Sequence, residues 1–262
     1  MTELEIPRDR WGRPMIVPLG GTKPEPYTRV STLAKTLDDK TALAKWMCRQ
    51  TAIGLSERPD LVSLIGVSRD DKRVVGDAVE KAMAAAKSDT ASNIGTTLHS
   101  LTERWDDGSY DETFVASEHH ADVCAYAFAM EKIKIEASEL FIVCDQLKAA
   151  GTFDRIVTLP DGRMMVADIK TGQNEPKYPH GSTTQIAIYA HGTPYTPSAG
   201  RTKPLSELGV STTEGLLIHL PAGQQKCDLY ILDLTVGWAL ATVATEVRRM
   251  QKSKPLTPYT PV

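Results

Sequence analysis

Hydrophobic spacing divides this chain into a helical first half and a strand-rich second half. Apolar residues recur at helical intervals near 31–53, 72–87, 93–106 and 117–136, the last with small and aromatic residues from Cys124 to Met130. Short apolar runs then predict strands near 140–147, 151–159 and 163–170, and a helix near 182–191 follows them. Two more strands near 215–220 and 228–234 precede a closing helix over about 236–252. The first thirty residues, rich in Pro and Gly, read as an irregular arm, and the Pro/Thr/Gly-rich stretch 192–213 as a long loop. This order implies an α/β fold, a central mixed β-sheet flanked by helices with an N-terminal helical region. The expected organisation is an arm (1–30) and one domain (31–262), comprising a helical part (31–136), an α/β core (137–252) and a tail (253–262).

The strand region carries the chemistry. Gly151-Thr-Phe-Asp-Arg-Ile precedes Val166-Ala-Asp-Ile-Lys-Thr-Gly, and Asp168 lies fourteen positions after Asp154. Successive strand side chains alternate in direction, so Asp168 and Lys170 share one face while Ile169 faces the other. Leu159-Pro-Asp-Gly-Arg163 reads as a hairpin turn joining 156–158 to the apolar run that begins at Met164. The two aspartates can therefore converge across neighbouring strands. Carboxylates at one sheet edge repel each other unless a hard cation sits between them, and oxygen ligands suit magnesium or manganese. Either half of the motif alone reads equally well as solvated charge on a surface hairpin.

Taken together, these residues resemble the PD-(D/E)XK nuclease superfamily, and within it the RecB-like exonuclease clade, whose core is of restriction-endonuclease type. Gly95-Thr-Thr-Leu-His-Ser-Leu-Thr-Glu103 is similar to the clade's helix with a metal-binding histidine, here His99. Gln185-Ile-Ala-Ile-Tyr189 is similar to its Gln-x-x-x-Tyr motif, and positions i and i+4 share a helix face. Tyr27-Thr-Arg-Val-Ser-Thr-Leu and Leu43-Ala-Lys-Trp46 resemble the N-terminal helical region of phage and bacterial members. The resemblance implies a magnesium- or manganese-dependent deoxyribonuclease acting on single- or double-stranded DNA ends, in recombination, repair or phage DNA metabolism. His99, Asp154, Asp168 and the Ile169 carbonyl would hold the ion. Lys170 would orient the attacking water and offset charge, since two adjacent aspartates favour its protonated form. Gln185 and Tyr189 would anchor the phosphate backbone or Lys170.

Other residues change the picture less. Glu103 could bind a second ion or steady His99, with a solvated glutamate as the plainer reading, and Glu139 precedes an apolar strand in a position where relatives often carry a glutamate. His119 and His120, adjacent on a helix, point about 100° apart and read as structural or exposed. The cysteines Cys48, Cys124, Cys144 and Cys227 contain no Cys-x-x-Cys pair and read as reduced, mostly buried thiols. Only Cys227 follows the nuclease motifs, whereas the iron–sulfur relatives carry a compact C-terminal trio, so the pattern argues against such a cluster.

Thirty basic against thirty-three acidic residues is not the balance of a protein that coats nucleic acid. Weak, salt-sensitive and sequence-tolerant binding is expected, through Arg155, Lys177, Gln185 and Tyr189, with Lys148, Arg163 and the basic stretch 248–254 as further candidates. No phosphate-binding loop, Gly-x-Ser-x-Gly elbow or dinucleotide fingerprint is present. No helicase motif occurs, so unwinding would require a helicase or recombinase as partner. The first residues lack an apolar run, which points to a cytoplasmic protein without a membrane span, in a bacterial cell or phage-infected host. The competing function is a catalytically silent nucleic-acid-binding subunit of a DNA-processing complex.

Overall fold

The expected helix over 31–53 breaks where Asp38 and Asp39 interrupt the apolar pattern. Asp39 Oδ1 accepts a hydrogen bond from Thr41 N at 2.8 Å and begins a second helix. In the computed structural model, which describes residues 6–258, the chain divides into two compact units. One is Asp38–Leu101; the other combines Met1–Leu37 with Thr102–Val262. The start of the arm (1–5) and the end of the tail (259–262) lie outside the described residues.

The arm contains β1 (Met15–Ile16) paired with β2 (Glu25–Pro26), then β3 (Thr28–Arg29) and the short α1 (Val30–Ala34). The helical unit follows with α2 (Thr41–Glu57), α3 (Pro59–Val67), α4 (Lys72–Ala85) and most of α5 (Thr90–Asp106). Sequence periodicity misses α3, which opens with Pro59 in its first turn, where the missing N–H costs nothing. Leu61, Ala78 and Ala82 form a small core cluster in this unit, joined by Leu55 and Ile65. Gly54 permits the contact of α2 with α4, since a Cβ there would stand 1.7 Å from the Ala82 carbonyl oxygen.

The sheet unit resumes with α6 (Ser117–Met130), β4 (Lys134–Ser138), β5 (Phe141–Cys144), β6 (Ala149–Thr152), β7 (Arg155–Thr158) and β8 (Met164–Lys170). After α7 (His180–Ala190) come β9 (Thr193–Thr196), β10 (Gly200–Arg201), β11 (Glu214–His219), β12 (Asp228–Asp233) and α8 (Leu234–Met250). The helix expected to reach 136 stops at Met130, because Lys134-Ile-Glu-Ala alternates polar and apolar and joins the sheet as β4. The expected loop 192–213 is largely structured. Tyr195 and Leu205 are buried, and Arg201 binds Asp145 through two nitrogens at 2.6 Å.

The fold is α/β with two mixed five-stranded sheets. One has the order β12-β11-β8-β7-β4, with β8 and β11 parallel; the other runs β10-β9-β5-β6-β3. In the first sheet Ile156, Val166, Leu217 and Leu232 pack with Ile186 and Ile188 of α7 and Leu234 and Ala241 of α8. Its opposite face carries Arg155, which bonds to the end of α5 beside α6. The same core cluster takes in Ile142, Cys144 and Ala149 of the second sheet.

Two of the chain's crossings between the sheets lie at neighbouring points. Leaving β4 the chain turns at Glu139–Leu140 into β5, and leaving β6 it returns through Phe153–Asp154 into β7. These crossings bond to each other: Glu139 N donates to the Asp154 carbonyl at 3.1 Å and Phe153 N to that of Leu140 at 3.3 Å. The strand expected over 151–159 is thus two strands in different sheets, joined at the candidate aspartate. Among the described residues, no helix is long and apolar enough to cross a membrane.

Candidate functional site

Asp154 is fixed by the end of a ladder. Pairing of β7 with β8 stops at Arg155 opposite Ala167. Beyond that point Asp154 Oδ2 takes the place of a backbone acceptor and receives the Ile169 N–H at 2.9 Å. On its other side Phe153 is buried, its ring edge-on to Tyr189 with centroids 6.3 Å apart. The aspartate therefore sits at the tip of β8, whose even positions Val166, Asp168 and Lys170 face α7.

Asp168 is 3% exposed. Its Oδ1 accepts from Gln185 Nε2 at 3.1 Å, and its Oδ2 lies 2.5 Å from Lys170 Nζ. Oδ2 is thus held by the charge of Lys170 and takes no hydrogen bond from any other described group. Burial raises the Asp168 carboxyl to about 6, Lys170 opposing the rise and Asp154 adding to it. Tyr189, 4% exposed, packs against Gly151, where a Cβ would come within 3.0 Å of the tyrosine oxygen. Burial, reinforced by Asp168 and Asp154, holds its hydroxyl above the usual range, so it stays neutral.

Two glutamates extend the cluster. Glu139 stands in the left-handed region at φ 54° and keeps part of its surface in solvent. Partial desolvation raises its carboxyl to about 7, with the charges of Glu103 and Asp154 adding to the rise. The sign for stability follows from linkage. With a folded value above the ordinary 4.5, this group favours folding fully below about pH 4.5, and the benefit is lost as pH rises through about 7. Metal-free wild type should therefore lose melting temperature between pH 5 and pH 8 faster than Glu139→Gln, by an amount damped by solvent. Parallel melting curves for the two proteins would refute the assignment.

The donor chemistry suits a hard divalent cation. It consists of oxygen ligands, a buried carboxylate oxygen whose charge partner is Lys170, and a neighbouring carboxyl raised by partial desolvation and, less, by like charge. Among the described residues no group of three or more His, Cys, Asp or Glu side chains is arranged to hold an ion. The structure thus brings Asp154, Asp168, Ile169, Lys170, Gln185 and Tyr189 together within the sheet unit. His99 lies on the part of α5 that belongs to the helical unit, and its role rests on the resemblance alone.

Two nucleic-acid contacts expected from sequence are corrected. Arg155 is 0% exposed: Nε pairs with Asp106 Oδ2 at 2.5 Å, and Nη2 donates to Thr102 Oγ1 at 3.0 Å. It is a buried structural cation beneath the site. Tyr189 is likewise sealed from solvent and cannot meet a phosphate directly. Gln185 reaches Asp168, whereas Lys170 was its expected alternative to phosphate. Of the other basic candidates, Lys148 pairs with Glu25 and Arg163 with Asp161 and Glu214, while Lys177 is exposed and forms no ion pair among the described residues. The thiols also differ from expectation, since Cys48 and Cys124 are exposed, Cys144 is buried and Cys227 half-buried. His120 is structural, its Nδ1 2.8 Å from the Tyr110 hydroxyl.

Sequence reasoning missed the Asp106–Arg155–Tyr126 network and the pairing of Glu139 with Asp154. The first had a signal: Arg155 and Val157 share a face of a strand whose other face is also apolar, which marks a strand covered on both sides. Comparison with family models and with curated proteins gives no match.

Proposed function

We propose that this chain is a magnesium- or manganese-dependent deoxyribonuclease of PD-(D/E)XK type, of the RecB-like clade. It would hydrolyse phosphodiester bonds from DNA ends in the cytoplasm, in recombination, repair or phage DNA metabolism. The observation that carries this reading is the buried Asp168, hydrogen-bonded by Gln185 and ion-paired to Lys170, beside an Asp154 fixed on the Ile169 N–H. The bound ion would supply charge relief on the phosphoryl oxygens and an acidified water. Asp154, Asp168 and the Ile169 carbonyl are the groups that would hold it, with His99 added by the resemblance.

The remaining roles belong to the chain itself. Lys170, partly exposed and facing the same side as Asp168, places its ammonium where it can orient water and offset negative charge. Gln185 fixes the Asp168 carboxylate plane, and buried Tyr189 supports the joint that carries Asp154. The overall charge of −3 is compatible with an enzyme that grips a few phosphates around a metal.

The test is degradation of end-labelled linear single- and double-stranded DNA beside covalently closed circles, with magnesium, manganese or EDTA. Metal-dependent loss of the linear substrates alone is expected. DNA binding without cleavage under any condition would favour the silent subunit, in which the Lys170–Asp168 ion pair is purely structural.

A further inference from the structure

The loop between β8 and α7 starts directly after Lys170 and leads into the helix that carries Gln185. Its first half is pinned. Ala222 N donates to the Thr171 carbonyl at 3.1 Å and Gln224 Nε2 to that of Gln173, also at 3.1 Å. His219, paired in register with Lys170, bonds the Gly172 carbonyl through Nε2 at 2.8 Å. A carbonyl only accepts, so Nε2 carries the proton and Nδ1 is left as a buried acceptor with no donor among the described residues. Leaving such an atom unmatched is costly, and the cost accompanies the fixing of this loop.

The second half of the loop is presented to solvent. Tyr178 is 84% exposed, and Lys177 and His180 beside it are exposed too. The Tyr178 and His180 rings are parallel to within 28°, with centroids 6.4 Å apart. At this spacing the rings form an offset pair, and the 84% exposure of Tyr178 leaves ring surface beyond that contact open to solvent. The loop's one carboxylate is Glu175, and among the described residues neither it nor Lys177 forms an ion pair. A pinned loop thus presents an exposed aromatic pair, and an ammonium with no ion pair among the described residues, at the start of the helix that carries Gln185.

We infer that Lys177, Tyr178 and His180 form a platform for an unpaired nucleobase and its phosphate, which directs the enzyme to single-stranded DNA. This deepens the nuclease reading and rests on it for the identity of the polymer. Stacking on an aromatic side chain tolerates any base, and the lysine supplies the sequence-independent charge contact.

Binding in EDTA separates this inference from cleavage. The probes are a labelled oligothymidylate, a base-free oligonucleotide of equal length and a blunt duplex. Tyr178→Ala should weaken oligothymidylate binding by roughly 10- to 100-fold, as loss of a base stack does, and leave the base-free strand unaffected. Tyr178→Phe should bind as wild type. Lys177→Ala should weaken both single strands and reduce the salt dependence by about 0.7 in log–log slope. Equal affinity of Tyr178→Ala and wild type for oligothymidylate would overturn the platform, as would wild-type binding no tighter to oligothymidylate than to the base-free strand. If Tyr178-dependent binding is found but no metal restores cleavage, the platform stands and the nuclease reading fails; cleavage indifferent to Tyr178 gives the reverse.

Discussion

Asp168→Asn is expected to reduce metal-dependent cleavage by on the order of 10³-fold, the scale of removing a principal electrostatic group from an active site. The fold should survive. Asparagine keeps an oxygen for Gln185 Nε2, and Lys170, 41% exposed, can solvate its ammonium. The metal-free variant should also be more stable than wild type at alkaline pH. Burial raises Asp168 to about 6, so wild type loses stability as pH rises through that value, and a neutral amide has nothing to lose. Initial rates with magnesium and manganese, with melting curves at pH 5 and pH 8, separate the two effects. Cleavage within tenfold of wild type would remove Asp168 from the chemistry.

The second large effect concerns stability. Arg155→Ala should cost about 3–5 kcal/mol in denaturant unfolding, because it leaves a buried Asp106 without its counter-charge. Burial already raises Asp106 despite the guanidinium beside it, and the Tyr126 hydroxyl, at 2.8 and 3.0 Å from its two oxygens, cannot replace a cation. Arg155→Lys should rescue little, since Nε serves Asp106 while Nη2 serves Thr102, a fork that one ammonium does not reproduce. Joint replacement by Arg155→Met and Asp106→Leu should recover most of the loss, because the desolvation penalty disappears with the pair. If Arg155 met DNA instead, its removal would flatten the salt dependence of binding and leave stability nearly unchanged.

The contrast between these residues shows what the sequence made legible. Asp168 and Lys170 could be placed because a strand has a strict period of two and a buried isoleucine between them sets the phase. The hairpin was legible for the same reason, since Leu159-Pro-Asp-Gly-Arg163 closes with Leu159 N on the Arg163 carbonyl at 2.9 Å. Arg155 was misplaced because a charged residue is rarely buried, and its partners lie about fifty positions earlier in the chain. Tyr189 lies in the last stretch of its helix, Ile186 to Ala190, which is buried throughout, so this end has no wet face on which a motif residue can meet substrate. The second sheet was legible only in part: a strand was expected near 140–147, but β3, β9 and β10 are two to four residues long and join it through the non-local pairs β3–β6 and β5–β9. In 151–159 nothing in the alternation marks the change of sheet at Phe153–Asp154.

That joint governs where the chain can be lengthened. It is spliced to the Glu139–Leu140 crossing by two backbone hydrogen bonds and has no slack on either side. One added residue would advance the backbone by about 3.3 Å and turn the following side chains over. A catalytic constellation tolerates displacements of only about 0.5 Å. The turn at Leu159–Arg163, reaching into solvent at the far end of the same hairpin, bears no such constraint. Fusions and epitope insertions belong there, while length at the sheet crossing is as fixed as the identity of the aspartate.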